Sequence, residues 1–206
     1  MSTTQKLILA SGSPRRSELL RAAGLKFEIR VPQIDESPLP NEAPSDFVCR
    51  TAREKAESIS TDGAVILAAD TAVIDGKRIL GKPLDAQDAA AMLRSLSGRT
   101  HEVMTGVCIR FPDWTDCFHV ETRVTFRTLS EKEIADYVAT EEPMDKAGAY
   151  AIQGGAAKMV RRVEGSYSNV VGLPLCEVVE ALDGFGIVES QRSKSRMSDP
   201  PSTFDL

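Results

Sequence analysis

Apolar residues fall along this chain in blocks whose spacing switches between the strand period and the helix period. Leu7 to Ala10 is a short continuous apolar run suited to a buried strand. The stretch SGSPRRSELLRAAG follows, with Ser13 at an N-cap, Pro14 at the first helical position and Gly24 where a C-terminal cap belongs. Phe27 to Val31 predicts a strand, and a Pro-rich acidic loop, VPQIDESPLPNEAPS, then carries Asp35 and Glu36. Over residues 45–59, Val48, Ala52, Ala56 and Ile59 recur at helical spacing. Lys55 lies on the edge of that stripe, apart from the polar face of Arg53, Glu54 and Glu57. Ala64 to Ala69 is a continuous apolar run that predicts a central buried strand ending in Asp70 and Thr71, and Asp75-Gly76 marks a turn between two short β stretches.

The second half repeats the alternation. Asp85 caps a helix from about Ala86 to Leu96, closed by Ser97-Gly98. His101 to Phe111 and Phe118 to Phe126 predict an antiparallel strand pair; in the second, Phe118, Val120, Thr122, Val124 and Phe126 alternate with polar neighbours. Ser130 and Glu133 form a capping box for a helix reaching Ala139, and another helix runs from Pro174 to Leu182. Between them, Glu142 to Leu175 holds too many small residues for a packed helix and too little polarity for disorder, so it reads as an ordered loop system beside a ligand. The sum predicts an α/β fold: a mixed twisted sheet with flanking helices and a cleft between two lobes. Residues 1–186 form one domain in this reading, and residues 187–206, polar and rich in Pro and Ser, form a disordered tail dispensable for chemistry.

Composition narrows the function classes. With 206 residues, 42% hydrophobic and 27% charged, the chain can bury a substantial core. A formal charge of −5 argues against a general nucleic-acid binder, so any anion site is local. The four cysteines are scattered without a CxxC pair, which predicts reduced, mostly buried thiols in a cytoplasmic protein. No apolar run reaches the length of a membrane span, and no signal-peptide pattern opens the chain. Walker A, GxGxxG, HExxH and GxSxG motifs are all absent. His101 and His119 sit within strand patterns and read as structural or exposed.

Candidate chemistry starts at the first helix. Its N-terminus carries partial positive charge and free N–H groups, so Arg15 and Arg16 there are either a solvated pair or one half of an anion site. Strand, small-residue loop and capped helix together favour the anion site, for which a phosphate fits. Asp70, at the carboxyl end of an apolar strand, is either a turn aspartate or a catalytic carboxylate at the sheet edge where open α/β sheets bind ligands. Lys82 in LGKP could reach the same edge, with Lys55 approaching from its helix; singly, each lysine could equally be solvated. As a group, Arg15, Arg16, Lys55 and Lys82 with Glu36 and Asp70 suit a polyphosphate and a divalent metal. Gln153 is a surface glutamine or a reader of a nucleobase, since its amide offers a donor and an acceptor.

Several of these segments in series, SGSPRRSELL, AADT, LGKP, SGRTHEVMTGV, DKAGAYAIQG and GSYSNVVGLPL, resemble the Maf family of nucleoside triphosphate pyrophosphatases over about residues 6 to 183. The resemblance implies a fold similar to inosine triphosphate pyrophosphatases, cleavage between the α and β phosphates, a Mg or Mn cofactor, and at the family level a homodimer. By motif, Asp70 is implied as the proton acceptor that activates water, Ser11, Arg16, Lys55 and Lys82 as phosphate-handling groups, and Glu36 as a metal or water-orienting carboxylate. Arg15, Thr71 and Gln153 match positions tied to substrate choice, and AADT with AYAIQG is similar to the branch acting on dTTP and UTP. Ala151 stands where that branch is expected to carry glycine. The alternatives are a branch acting on 7-methyl-GTP or another non-standard nucleotide, and a nucleotide-binding regulator of cell division or septum formation.

Overall fold

A computed structural model describes residues 5–187. Its centre is a seven-stranded mixed sheet in the order β2-β1-β3-β5-β6-β7, with β4 paired beside β3. The strands are β1 (Leu7–Ala10), β2 (Glu28–Ile29), β3 (Val65–Asp75), β4 (Arg78–Leu80), β5 (Thr100–Arg110), β6 (Thr115–Phe126) and β7 (Val160–Glu164). The helices are α1 (Pro14–Ala22), α2 (Pro44–Glu57), α3 (Ala86–Leu96), α4 (Glu131–Val138), α5 (Tyr167–Val171) and α6 (Leu175–Gly184). Strands β2, β1 and β3 run parallel, and β3, β5, β6 and β7 are antiparallel neighbours.

Local rules account for most of the boundaries. Helix α1 ends in a Schellman motif: Gly24 takes φ 77° and the N–H groups of Gly24 and Leu25 donate to Arg21 and Leu20. Asp85 caps α3, and Ser130 with Glu133 closes the capping box of α4. Along β6, Thr122, Val124 and Phe126 are buried while Glu121 and Arg123 are exposed, the alternation expected of a one-sided strand.

Four expectations need correction. Asp70 does not end its strand: β3 continues to Asp75 because β5 pairs with it from Ile66 to Ile74 without a break. The strand expected over Phe27–Val31 shrinks to Glu28–Ile29, since only those two residues find a partner on β1. The loop system from Glu142 to Leu175 contains β7, recruited by β6, and α5, capped by Ser166. Of the four thiols, which are free as expected, Cys108 alone is buried. The tail expected after Gly186 lies outside the described residues except for Ile187, which is buried.

Separate cores fill the two ends of the molecule. Leu7, Leu9, Leu20, Leu67, Val178 and Leu182 pack around β1 with α1 and α6. Leu93, Leu96, Phe126, Ile134, Tyr137 and Tyr150 pack under α3 and α4. Residues from both ends line a single cleft of about 740 Å³. No helix among the described residues is long and apolar enough to cross a membrane.

Candidate active site

The cleft opens where β3 changes partners. On one edge β3 pairs with β1 over Val65–Ala68 and with β4 over Val73–Asp75, so residues 69–72 lie between the two, held by β5 alone. Asp70 and Thr71 occupy that gap. Asp70 is opposite Gly106 in register, and a Cβ on Gly106 would stand 2.2 Å from the carbonyl oxygen of Val48. Helix α2 therefore rests its backbone directly on the sheet at Gly106. Two turns further along α2, Lys55 reaches the same face.

The Lys55 ammonium is buried, with Nζ 2.7 Å from Asp70 Oδ1 and 3.0 Å from Glu36 Oε2. A buried charge needs such partners, because either one alone in the interior would lose its hydration without return. Glu36 arrives from the acidic loop, which Arg50 of α2 pins: its guanidinium donates to the carbonyl oxygen of Ser37 at 3.1 Å and to Glu42 at 2.6 and 2.8 Å.

Arg16 is the clamp of the opposite side. Its Nε donates to the carbonyl of Gly172 at 2.7 Å, and its terminal nitrogens donate to Ser11 Oγ at 3.2 Å and Thr71 Oγ1 at 3.1 Å. Burial works against its charge, while Asp70 and Glu36 favour it. Thr105 donates to the carbonyl of Asn169, so it accepts from Thr71, 2.9 Å away. The Thr71 hydroxyl is thus engaged by Arg16 and Thr105, with the Gly172 carbonyl 3.4 Å away. Asn169 in turn donates to Val103 O and Thr122 Oγ1, each at 3.0 Å, fixing the segment that presents Gly172.

Ser11, Arg15, Arg16, Glu36, Lys55, Asp70, Thr71, Lys82 and Gln153, all singled out in the sequence, line this one cleft. They divide into two kinds. Lys55, Arg16 and Thr71 are held by protein partners, whereas Arg15 and Lys82 make no ion pair among the described residues. Ser13 occupies the N-cap of α1, but its side chain makes no capping bond, so the hydroxyl expected to close the helix leaves that end open to the cleft. The sequence reading missed Asp145 and Lys146, which pair with each other on the far wall, and Tyr150 beside them. Their motif, DKAGAY, gave only a family resemblance because no periodicity runs through it.

A family model described as Maf-like protein matches residues 6–185. The chain belongs to that family. Among curated relatives, the dTTP/UTP pyrophosphatase of Geobacter sulfurreducens is 54% identical over 185 residues, covering 88% of this chain and 97% of the relative. The dTTP/UTP pyrophosphatase of Geobacter metallireducens is 52% identical over 190 residues, covering 90% of this chain and 99% of its own. Among solved structures, a HAM1 protein from Coxiella burnetii aligns at a TM-score of 0.46 with 17% identity, over 87% of this chain and 99% of that one. Within this Maf-like chain, the family motifs SGSPRR, AADT, LGKP and AYAIQG come from four separate elements and meet at one cleft.

Proposed function

We propose that this chain hydrolyses dTTP and UTP to the nucleoside monophosphate and pyrophosphate. The observation that carries this reading is the convergence in one cleft of a Lys-held carboxylate, Asp70, with two cations that make no ion pair among the described residues, Arg15 and Lys82. The choice of nucleotide follows the relatives' names. A cleft of about 740 Å³ is in the size range of small-molecule sites. Phe47, Val73, Tyr150 and Ile152 give it apolar wall for a sugar and base.

In this mechanism Arg15 and Lys82 bind the triphosphate beside the open N-terminus of α1, whose N–H groups favour anions. Arg16 keeps Ser11, Thr71 and Gly172 in fixed relation, so the phosphate seat is set before substrate arrives. Lys55 holds Asp70 by Oδ1, and Oδ2 takes the proton of the attacking water. Water oxygen bonds to the α phosphorus as the bond from that phosphorus to the bridging oxygen breaks. Pyrophosphate leaves with the electron pair, its charge met by Lys82 and Arg15.

A divalent metal fits the residues present in a limited way. Glu36 and Asp70 approach one ammonium from two sides, and no group of three His, Cys, Asp or Glu side chains among the described residues could hold a metal. Those two carboxylates would hold magnesium or manganese jointly with phosphate oxygens and water, the arrangement magnesium prefers. When bound, it would supply charge neutralisation and a more acidic water.

The test is pyrophosphate release by the purified protein with magnesium or manganese, across dTTP, UTP, CTP, 7-methyl-GTP and ITP, beside Asp70→Asn. Selective release from dTTP and UTP, lost in the variant, is the expected result. Release from 7-methyl-GTP instead would move the chain to another branch, and nucleotide binding without release would make it a nucleotide-binding regulator.

A further inference from the structure

Gln153 sits in a part of the molecule that no strand ladder positions. Three short 3-10 turns, Glu142–Asp145, Ala147–Ala149 and Gly155–Met159, carry the chain past the cleft, with Gln153 exposed just before the third. Backbone bonds such as Gly148 N–H to the Gly81 carbonyl hold its start, and the stretch around Gln153 depends further on side chains that tie it down.

Two residues outside the cleft lining do this. Tyr137, buried on α4, donates its hydroxyl to Glu142 Oε1 at 2.8 Å and accepts the N–H of Ala151 at 3.1 Å. The two oxygens of Glu142 accept the N–H of Gly155 at 3.0 and 3.1 Å. Ala151 and Gly155 flank Gln153 by two residues on either side, so one Tyr–Glu pair grips both ends of the loop that presents it. Burial holds the Tyr137 phenol above its ordinary value, which keeps it a hydrogen-bond donor at neutral pH.

The two glycines of the QGG motif acquire a reason here. A Cβ on Gly154 would stand 2.2 Å from Glu142 Oε1, and one on Gly155 would stand 3.0 Å from the Tyr137 ring. Gly154 has φ −144°, so no left-handed backbone calls for glycine there; a Cβ would instead push the Glu142 carboxylate out of its place.

We propose that Tyr137 and Glu142 are positioning residues for nucleobase selection: they fix the Ala151–Gly155 loop so that the Gln153 amide meets the edge of the base. This rests on the reading of Gln153 as the base-contacting residue of a pyrimidine nucleotide hydrolase. An amide placed to pair with one base edge rejects another because the mismatch leaves polar groups unpaired, and that selectivity is lost when the amide is free to wander. The chemical step at Asp70 is on the other wall and keeps its own supports.

The experiment compares Tyr137→Phe, Glu142→Ala and Glu142→Gln with Gln153→Ala, measuring kcat and KM for dTTP, UTP and CTP together with hydrogen exchange at the amides of Ala151 and Gly155. Tyr137→Phe and Glu142→Ala are expected to raise KM for dTTP and UTP about tenfold, the size of one lost charge-assisted bond, and to narrow the preference over CTP as Gln153→Ala does. Over the same variants kcat should stay within about threefold, exchange at both amides should accelerate, and Glu142→Gln should recover part of the loss through its remaining oxygen. Unchanged KM and unchanged base preference, with only a lower Tm, would overturn the proposal. Should the wild-type protein release no pyrophosphate from any nucleotide, the hydrolase reading fails on its own. Exchange still judges the bracket in that case: unaltered protection at Ala151 and Gly155 in Tyr137→Phe would overturn it as well.

Discussion

The two walls of the cleft are built on different principles. The wall carrying Asp70 and Lys55 is a strand and a helix in direct contact, where backbone register decides which side chains meet. The wall carrying Gln153, Tyr150 and Gly172 is made of short turns whose positions are set by side chains reaching backbone: Tyr137 to Ala151, Glu142 to Gly155, Arg16 to Gly172. The carboxylate we propose as proton acceptor would need a fixed place relative to phosphate, and a packed strand gives Asp70 one. The loop proposed to meet the base is tied by bonds separate from those of Asp70, so it can shift without moving that carboxylate. Damage to the first wall should therefore remove turnover, and damage to the second should shift affinity and preference.

Asp70→Asn should show the largest effect. It keeps the shape and a hydrogen-bond acceptor for Lys55 but removes the proposed proton acceptor, so kcat should fall about a thousandfold, within the span of general-base contributions. Binding of dTTP, followed by calorimetry, should persist. A variant with near-normal turnover would take the chemistry away from this wall.

Gly106→Ala attacks the same wall from behind. The added methyl would collide with the α2 backbone at Val48, which cannot swing aside as a side chain could. A loss of about 3 kcal/mol in urea unfolding is expected, the upper range for overpacking. Because α2 must lift, Lys55 withdraws from Asp70 and kcat should fall too. Lower stability with unchanged kcat would show that the carboxylate does not depend on the helix.

How much of this could be read from the chain follows the same division. Ala86–Leu96 and the capping box at Ser130 are stated outright by local sequence, because caps act through residues three apart. Asp70 was visible as an acidic break after an apolar run, yet its true place in mid-strand depends on β5, which lies some thirty residues away in sequence. Lys55 was visible as a lysine on an apolar stripe. The bracket of Tyr137 and Glu142 was not visible at all: its bonds run from side chain to backbone across a loop, and no periodicity encodes that. β7 was missed for a related reason, since VRRVE becomes a strand only by adding to the edge of β6.

The second wall has one link to the sheet that pH can probe. His101 on β5 is buried, 2.8 Å from the Tyr150 hydroxyl, with Phe126 against its ring and Asp75 and Arg99 as the charged neighbours. Burial pushes its folded value down from 6.5 to about 4. Between those values the unfolded chain binds the extra proton, so stability is whole above about pH 6.5 and declines as pH falls toward 4. Urea unfolding at pH 7 and pH 5 should show the wild type losing about 2 kcal/mol more than His101→Phe over that interval. Parallel losses in the two proteins would mean the histidine is not buried neutral, and would leave Tyr150 without that tie to β5.

The smallest effects separate the site from its scaffold at two helix starts. Ser130 opens α4 with a full capping box, accepting the N–H of Glu133 while the Glu133 carboxylate accepts the N–H of Ser130. Ser13 opens α1 with extended backbone and no side-chain bond to the helix. Ser130→Ala should cost about 1 kcal/mol, the ordinary worth of an N-cap. Ser13→Ala should stay within about 0.5 kcal/mol when nucleotide is absent, since no folded-state bond is lost. Thermal unfolding of the two variants decides the matter: an equal cost would mean that the Ser13 side chain holds the start of α1 as scaffold, whereas the expected inequality means that α1 starts without a side-chain cap, as the proposed phosphate seat requires.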